Sequence, residues 1–142
     1  MSDDYIGETD LSFMDYDVSG AIEPKTLANG TEHEFQIVDI DLKAAAKSSM
    51  IGVILKALNQ PEPTKLVRHA LWYPKPSDDA EQRNNSALAL KRFYKAFNIQ
   101  PHEQNSASYQ SWINRTTWAT VSEKEDPKFG MQNRIDRFIG PR

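Results

Sequence analysis

The chain has 142 residues, a length that predicts one domain with a core of its own, and 17 basic against 20 acidic residues give it a net charge of −3. It contains no cysteine, which excludes a disulfide framework, a cysteine metal site and a thiol nucleophile and points to an intracellular address. No basic-then-apolar leader is visible and no apolar run approaches the roughly 18 residues of a membrane span, so the expectation is a soluble, unprocessed cytoplasmic chain that has no membrane partner.

The charge is unevenly placed. Residues 1–23 hold seven acids (Asp3, Asp4, Glu8, Asp10, Asp15, Asp17, Glu23) and no Lys or Arg, leaving 17 basic against 13 acidic residues, a net of +4, for the rest. Residues 1–25 therefore read as a flexible acidic arm, with Leu11, Phe13, Met14 and Tyr16 giving it apolar material to dock with, and the folded domain is expected over 26–142. After Pro24, the string T-L-A-N-G-T predicts a turn at Asn29 and Gly30, a pair that accepts positive φ.

A first strand is predicted from 32 to about 43. Phe35 and Ile37 alternate with Glu34 and Gln36, but Val38, Ile40 and Leu42 carry the apolar pattern onward in the opposite parity, which predicts a bulge near Val38. Asp39 and Asp41 share a face, yet a DxD pair with no third carboxylate or His nearby reads as a solvated strand edge before it reads as a metal site. Residues 44–49 read as a small basic loop beside Lys43 and including Lys47. A second strand, 50–58, alternates Ile51, Val53, Leu55 and Ala57 against Gly52, Ile54 and an outward Lys56. Pro61 and Pro63 separate it from a third strand, 65–73, in which Arg68 and Trp72 share one parity while His69 and Tyr73 share the other.

Pro74 and Pro76 end that strand, and the one convincing helix is predicted to start at Asp78, with Glu81 completing a capping box. Ala87, Leu90, Phe93, Tyr94 and Phe97 form its apolar stripe, read as core, while Lys91, Arg92 and Lys95 gather near the C-terminal end where cations suit the helix dipole. Residues 98–111 are a polar connection containing Pro101, after which Trp112 and Ile113 return to the core or its rim.

The last stretch, R-T-T-W-A-T-V-S-E-K-E-D-P-K-F-G-M-Q-N-R-I-D-R-F over 115–138, predicts two strands joined by a polar turn at 123–128. Alternation puts Ala119 and Val121 on the inner side and Trp118, between Thr116 and Thr120, on the outer. Arg115, Trp118, Lys128, Phe129, Arg134 and Arg137 put cations and flat rings on one short unit, which suits single-stranded nucleic acid: the backbone needs positive charge and the unpaired bases need π-faces. With the same pairing at Arg68 and Trp72, the expected interface has Lys43, Lys47, Lys56, Arg68, Arg115, Lys128, Arg134 and Arg137 tracking phosphates and Trp72, Tyr73, Trp118 and Phe129 offered to bases. It needs no cofactor or metal, and sequence preference is expected to be slight.

Three strands, one helix and two strands is the order of an OB-fold, a mainly β, five-stranded barrel whose single helix lies between strands 3 and 4. With its L-A-N-G lead into the first strand, the F-Y-K-A-F-N helix end and the closing F-G-M-Q-N-R-I-D-R-F, the chain resembles the phage-encoded single-stranded-DNA-binding proteins with an OB-fold, over residues 26–138. The resemblance implies a non-enzymatic protein that coats single-stranded DNA during phage DNA replication, recombination or repair in the host cytoplasm, with replication or recombination proteins as further partners. Many such proteins end in an acidic tail, whereas this sequence ends Ile139, Gly140, Pro141, Arg142. Two rival readings come from other classes. A metal-dependent nuclease needs converging ligands, and His33, His69 and His102 are scattered without metal-type spacing. An OB-fold protein-interaction or structural phage module is the alternative, because a fold does not fix a function.

Overall fold

The computed structural model describes residues 9–142; the first eight residues of the expected acidic arm lie outside the described residues. The fold is mainly β: one five-stranded antiparallel sheet with a single long helix. The strands are β1 (Glu32–Asp41), β2 (Met50–Ala57), β3 (Val67–Trp72), β4 (Thr116–Asp126) and β5 (Gly130–Gly140), in the spatial order β3-β2-β1-β4-β5. A one-turn helix α1 (Ala45–Ser48) lies between β1 and β2, and the long helix α2 (Ala80–Ala96) lies between β3 and β4. No helix among the described residues is long and apolar enough to cross a membrane.

The expected closed barrel is not formed by backbone hydrogen bonds, since β3 and β5 remain the two edges of the sheet. Side chains bridge the gap instead. The Lys65 ammonium donates to the Met131 carbonyl at 2.7 Å, and the His69 ring on β3 meets Phe138 on β5 edge-on at 5.0 Å.

The parity change in β1 is a β-bulge, with the register to β2 shifting between Ile37 and Asp39. Phe35 and Ile37 before it, and Ile40 after it, all point inward as a result. They pack with Val53, Leu55, Val67, Leu71, Ala119 and Val121 from the neighbouring strands. Helix α2 contributes Leu90, Phe93, Tyr94 and Ala96, followed by Phe97 and Ile99, whereas Ala87 is exposed. Phe93 is the centre of the aromatic cluster, 4.8 Å from Phe97, 6.0 Å from Trp112 and 5.7 Å from Phe138.

Helix α2 starts one residue later than the sequence suggests. Asp78 is spent on the preceding turn, accepting from Lys75 N, and Asp79 caps the helix by accepting from Gln82 N while Gln82 Oε1 accepts from Asp79 N. The helix ends in a Schellman turn: Asn98 takes φ 53°, Ile99 N reaches Tyr94 O and Asn98 N reaches Lys95 O, while Ile99 is buried.

Three further boundaries differ from expectation. Part of the basic loop at 44–49 is helix α1, ended by Ser49 at φ 51°. The connection at 98–111 contains two 3-10 turns, Pro101–Glu103 and Tyr109–Trp112. The charged run at 123–126, expected as a turn, continues β4, so that Glu123 pairs with Asn133 and Asp126 with Gly130. Charged residues of both signs are comfortable there because Glu123, Lys124 and Glu125 are all exposed.

Asn133 is one of the few buried polar side chains. Its Oδ1 accepts from Leu27 N at 2.7 Å, and its Nδ2 donates to Leu27 O at 3.0 Å and Ser122 O at 3.2 Å. The amide thus satisfies the backbone of the segment before β1 as a neighbouring strand would.

Candidate nucleic-acid interface

The twelve residues singled out in the sequence fall into distinct groups. The first occupies the outer face of β2 and β3 and the β1–β2 loop. On β3, Val67 and Leu71 are buried while Arg68, Ala70 and Trp72 are exposed, which resolves the two parities left open by the sequence. Trp72 stands 50% exposed, paired across the sheet with Met50, and the Lys75 ammonium lies 5.9 Å from its ring centroid. Arg68 crosses the backbone of β2 at Gly52: a Cβ there would come within 2.5 Å of its Nε and Nη2, so this glycine makes the room. Its Nη2 then donates to Asp41 Oδ2 at 3.1 Å. Lys56 is exposed on the same outer face, opposite Gln36. Lys43 and Lys47 are exposed beside and within α1, close to Trp72 because Tyr73 N donates to Ser49 O at 2.8 Å.

The second group lies on the outer face of β4 and β5. Trp118 points outward, as its alternation with the fully buried Ala119 and Val121 requires. Its surroundings are less open than Thr116 and Thr120 alone suggest. The Arg142 guanidinium lies over the ring at 5.1 Å and is itself ion-paired to Glu32. Arg134 donates to Ser122 Oγ at 3.1 Å and lies 3.5 Å from Asp136, whereas Arg137 is exposed and holds no ion pair among the described residues.

The third group is the β4–β5 turn. Asp126 Oδ1 accepts from Lys128 N at 2.8 Å and Phe129 N at 3.0 Å, and Gly130 at φ 76° lets the chain re-enter the ribbon. This presents Phe129 64% exposed, with the Lys128 ammonium 5.2 Å from its ring centroid.

Two candidates are engaged elsewhere. Arg115 is held against Glu103, Nη2 to Oε2 and Nη1 to Oε1, and also donates to Asn98 O at 2.9 Å. The Arg115 guanidinium, then the Gln100 N–H, hold the Glu103 carboxyl down to about 2. Tyr73 turns to the inner side and shares a 2.9 Å hydrogen bond with the Tyr94 hydroxyl; burial first, then that bond, pushes its phenol pKa up. Neither side chain joins the outer rings.

Electrostatics divides the outer face. β1 runs between the first two groups and points Glu32, Glu34, Asp39 and Asp41 outward, so the cations do not form one continuous track. Asp39 accepts from Ile40 N, and Asp41 accepts from Lys43 N and from Arg68. Among the described residues, no three His, Asp or Glu side chains gather as a metal-binding group. On the β2–β3 side the cations are spread along the strands, with Lys43, Lys47 and Lys75 toward the Trp72 end and Arg68, ion-paired to Asp41, and Lys56 further along. Lys75 was not singled out from the sequence; its place three residues after Trp72 and just past the strand end was the available signal.

No protein-family model matches the chain, and no curated protein is significantly similar to it in sequence.

Proposed function

We propose that the protein binds single-stranded DNA, without catalysis and with little sequence preference, across the outer face of β2 and β3. The observation that carries this reading is Trp72, a large ring 50% exposed on a strand, with the Lys75 ammonium 5.9 Å from its centroid and Lys43 and Lys47 exposed toward the same end of the sheet. Burying such a ring against other protein is the ordinary way to gain from it; left open, it offers a base-stacking surface worth roughly 1–3 kcal/mol per base. We read the architecture as an OB-type barrel, partly open at the β3–β5 seam. In support, the strand order and the helix position suit that fold, and the elements OB-folds use for oligonucleotides are the strand 2–3 face and the loops after strands 1 and 4. Those three elements carry Arg68 and Trp72, Lys43 and Lys47, and Lys128 and Phe129. The wider setting we propose is phage DNA replication or recombination in the host cytoplasm, on the strength of the sequence resemblance.

The test is tryptophan fluorescence titrated with oligo(dT) and, separately, with duplex DNA. Quenching by the single strand, weakening steeply with salt, is expected. An equal response to both forms, or none to either, refutes the reading. Loss of a DNA-degrading activity on adding a chelator would instead reveal a metal-dependent nuclease.

A further inference from the structure

The acidic arm and the far end of the sheet fit one another chemically. From Leu11 to Ile22, six large apolar side chains are exposed, among them Phe13 at 73% and Tyr16 at 81%, interspersed with Asp15 and Asp17. Single exposed apolar residues are ordinary, but so many in one short segment mark a surface made to be covered. At the α1 end of the sheet a groove of about 410 Å³ lies open, lined by Leu42, Ala45, Ile51, Tyr73, Tyr109 and Trp112 together with a few polar residues from 104–106. Exposed Lys43 lies next in sequence to the groove-lining Leu42, and exposed Lys47 lies on the same one-turn helix as Ala45, two residues from it.

We propose that this groove receives the 11–17 segment of a second copy of the chain. Phe13 and Tyr16 supply rings for an apolar, aromatic groove, and Asp15 and Asp17 meet Lys43 and Lys47 at its edge. Reach favours a second copy over the chain's own arm. Lys25 is tied beside the start of β3, through its N to Pro63 O and its bridge to Thr64, whereas the groove lies at the Tyr73 end of that strand. Thr64 to Tyr73 spans roughly 30 Å at about 3.3 Å per residue. The residues from Tyr16 to Lys25 extend to roughly 30 Å only when fully stretched, and the turn closed by Ala21 N to Val18 O takes up part of that length. The contact is head to tail, the arm of one copy in the groove of the next, so it can repeat along a row. It concerns the protein alone and stands whether or not DNA is the ligand.

Sedimentation equilibrium of the full chain without DNA at low salt tests it. The wild type should self-associate with rising concentration. An arm variant (Phe13→Glu with Tyr16→Glu) and a groove variant (Leu42→Glu, at a site 43% exposed and so tolerant of change) should each self-associate at least roughly tenfold more weakly. Mixed, the two variants should form a 1:1 heterodimer that grows no further, because that pairing keeps one intact arm and one intact groove. A monomeric wild type overturns the proposal, including the case where the arm variant changes Trp112 fluorescence in a monomer, which would show the arm in its own groove. Undiminished association of the arm variant, or a mixture that fails to pair, overturns it equally.

Discussion

Trp112 and Trp72 belong to opposite sides of the same sheet. Trp112 is 1% exposed, packed by Phe93 and Tyr94, and its Nε1 donates to Glu103 O at 2.8 Å. Trp72 is half exposed and has for company a lysine and the edge of Met50. Inside, polar edges are met even where that takes a long-range amide such as Asn133, with Thr117 Oγ1 the exception among the described residues. Outside, on the β2–β3 side, Trp72 and Lys56 are exposed among the described residues, while Arg68 is ion-paired to Asp41. Stability explains the inner set and says nothing of the outer, which is why the outer set is the place to look for a ligand.

The largest test of the contrast is on stability. Trp112→Ala should lower unfolding free energy by about 3–5 kcal/mol, since it empties core volume and leaves Glu103 O without its donor, whereas Trp72→Ala should stay within about 1 kcal/mol. Urea denaturation followed by circular dichroism reads both. Comparable losses would mean that Trp72 is covered after all.

The seam between β3 and β5 gives the next effect, through pH. His69 lies on the inner side, stacked 6.1 Å from Phe93 and edge-on to Phe138, and burial lowers its pKa from 6.5 to about 4. Between those values the unfolded chain binds the proton and the folded chain does not, so stability is full above pH 6.5 and falls by about 3 kcal/mol as pH drops toward 4. His69→Leu should flatten this part of the profile. Glu103 works in a lower window: its depressed pKa contributes stability above about 4.5 that is lost as pH falls toward 2. A profile unchanged in His69→Leu would place the acid sensitivity elsewhere.

Much of the inner face could be read from alternation alone, because burial imposes a strict period on residues close in sequence. The bulge at Val38, the inward Ala119 and Val121 and the outward Trp118 all followed from parity. What escaped depends on partners far along the chain. Asn133 looks like a surface residue in Q-N-R until Leu27, 106 residues away, arrives beside it. Arg115 looks like a free cation until the turn at Pro101–Glu103 brings Glu103 to it. Gly52 reads as a weak spot in β2, and only the sheet reveals the arginine lying across it.

Binding should separate the two outer tryptophans. Trp72→Ala is expected to weaken single-strand binding by roughly 1–3 kcal/mol, about one to two decades in affinity. Trp118→Ala should cost about 1 kcal/mol or less, because Arg142 already lies over that ring and the Glu32–Glu34 strip borders it. Fluorescence titration of both variants decides. The reverse order would move the DNA path to β4 and β5.

The smallest effect is also the most specific, and it concerns two cations that the sequence made equivalent. Lys56 is exposed on the outer face with no ion pair among the described residues, so its charge is available to a phosphate. Arg115 spends its guanidinium on Glu103 and Asn98 O. Each phosphate neutralised on a single strand contributes about 0.7 to the slope of log K against log salt. Lys56→Ala should therefore lower the slope by about that amount, weaken binding to all sequences alike and leave unfolding within about 0.5 kcal/mol. Arg115→Ala should leave the slope as it was and appear in stability, since it leaves the Glu103 carboxylate with only the Gln100 N–H and releases a support of the helix-to-β4 connection. Measured across a salt series, the pair distinguishes a cation that meets solvent-borne phosphate from one that holds the fold. A slope change in Arg115→Ala, or none in Lys56→Ala, would show that the open face of β2 and β3 is not where the strand lies.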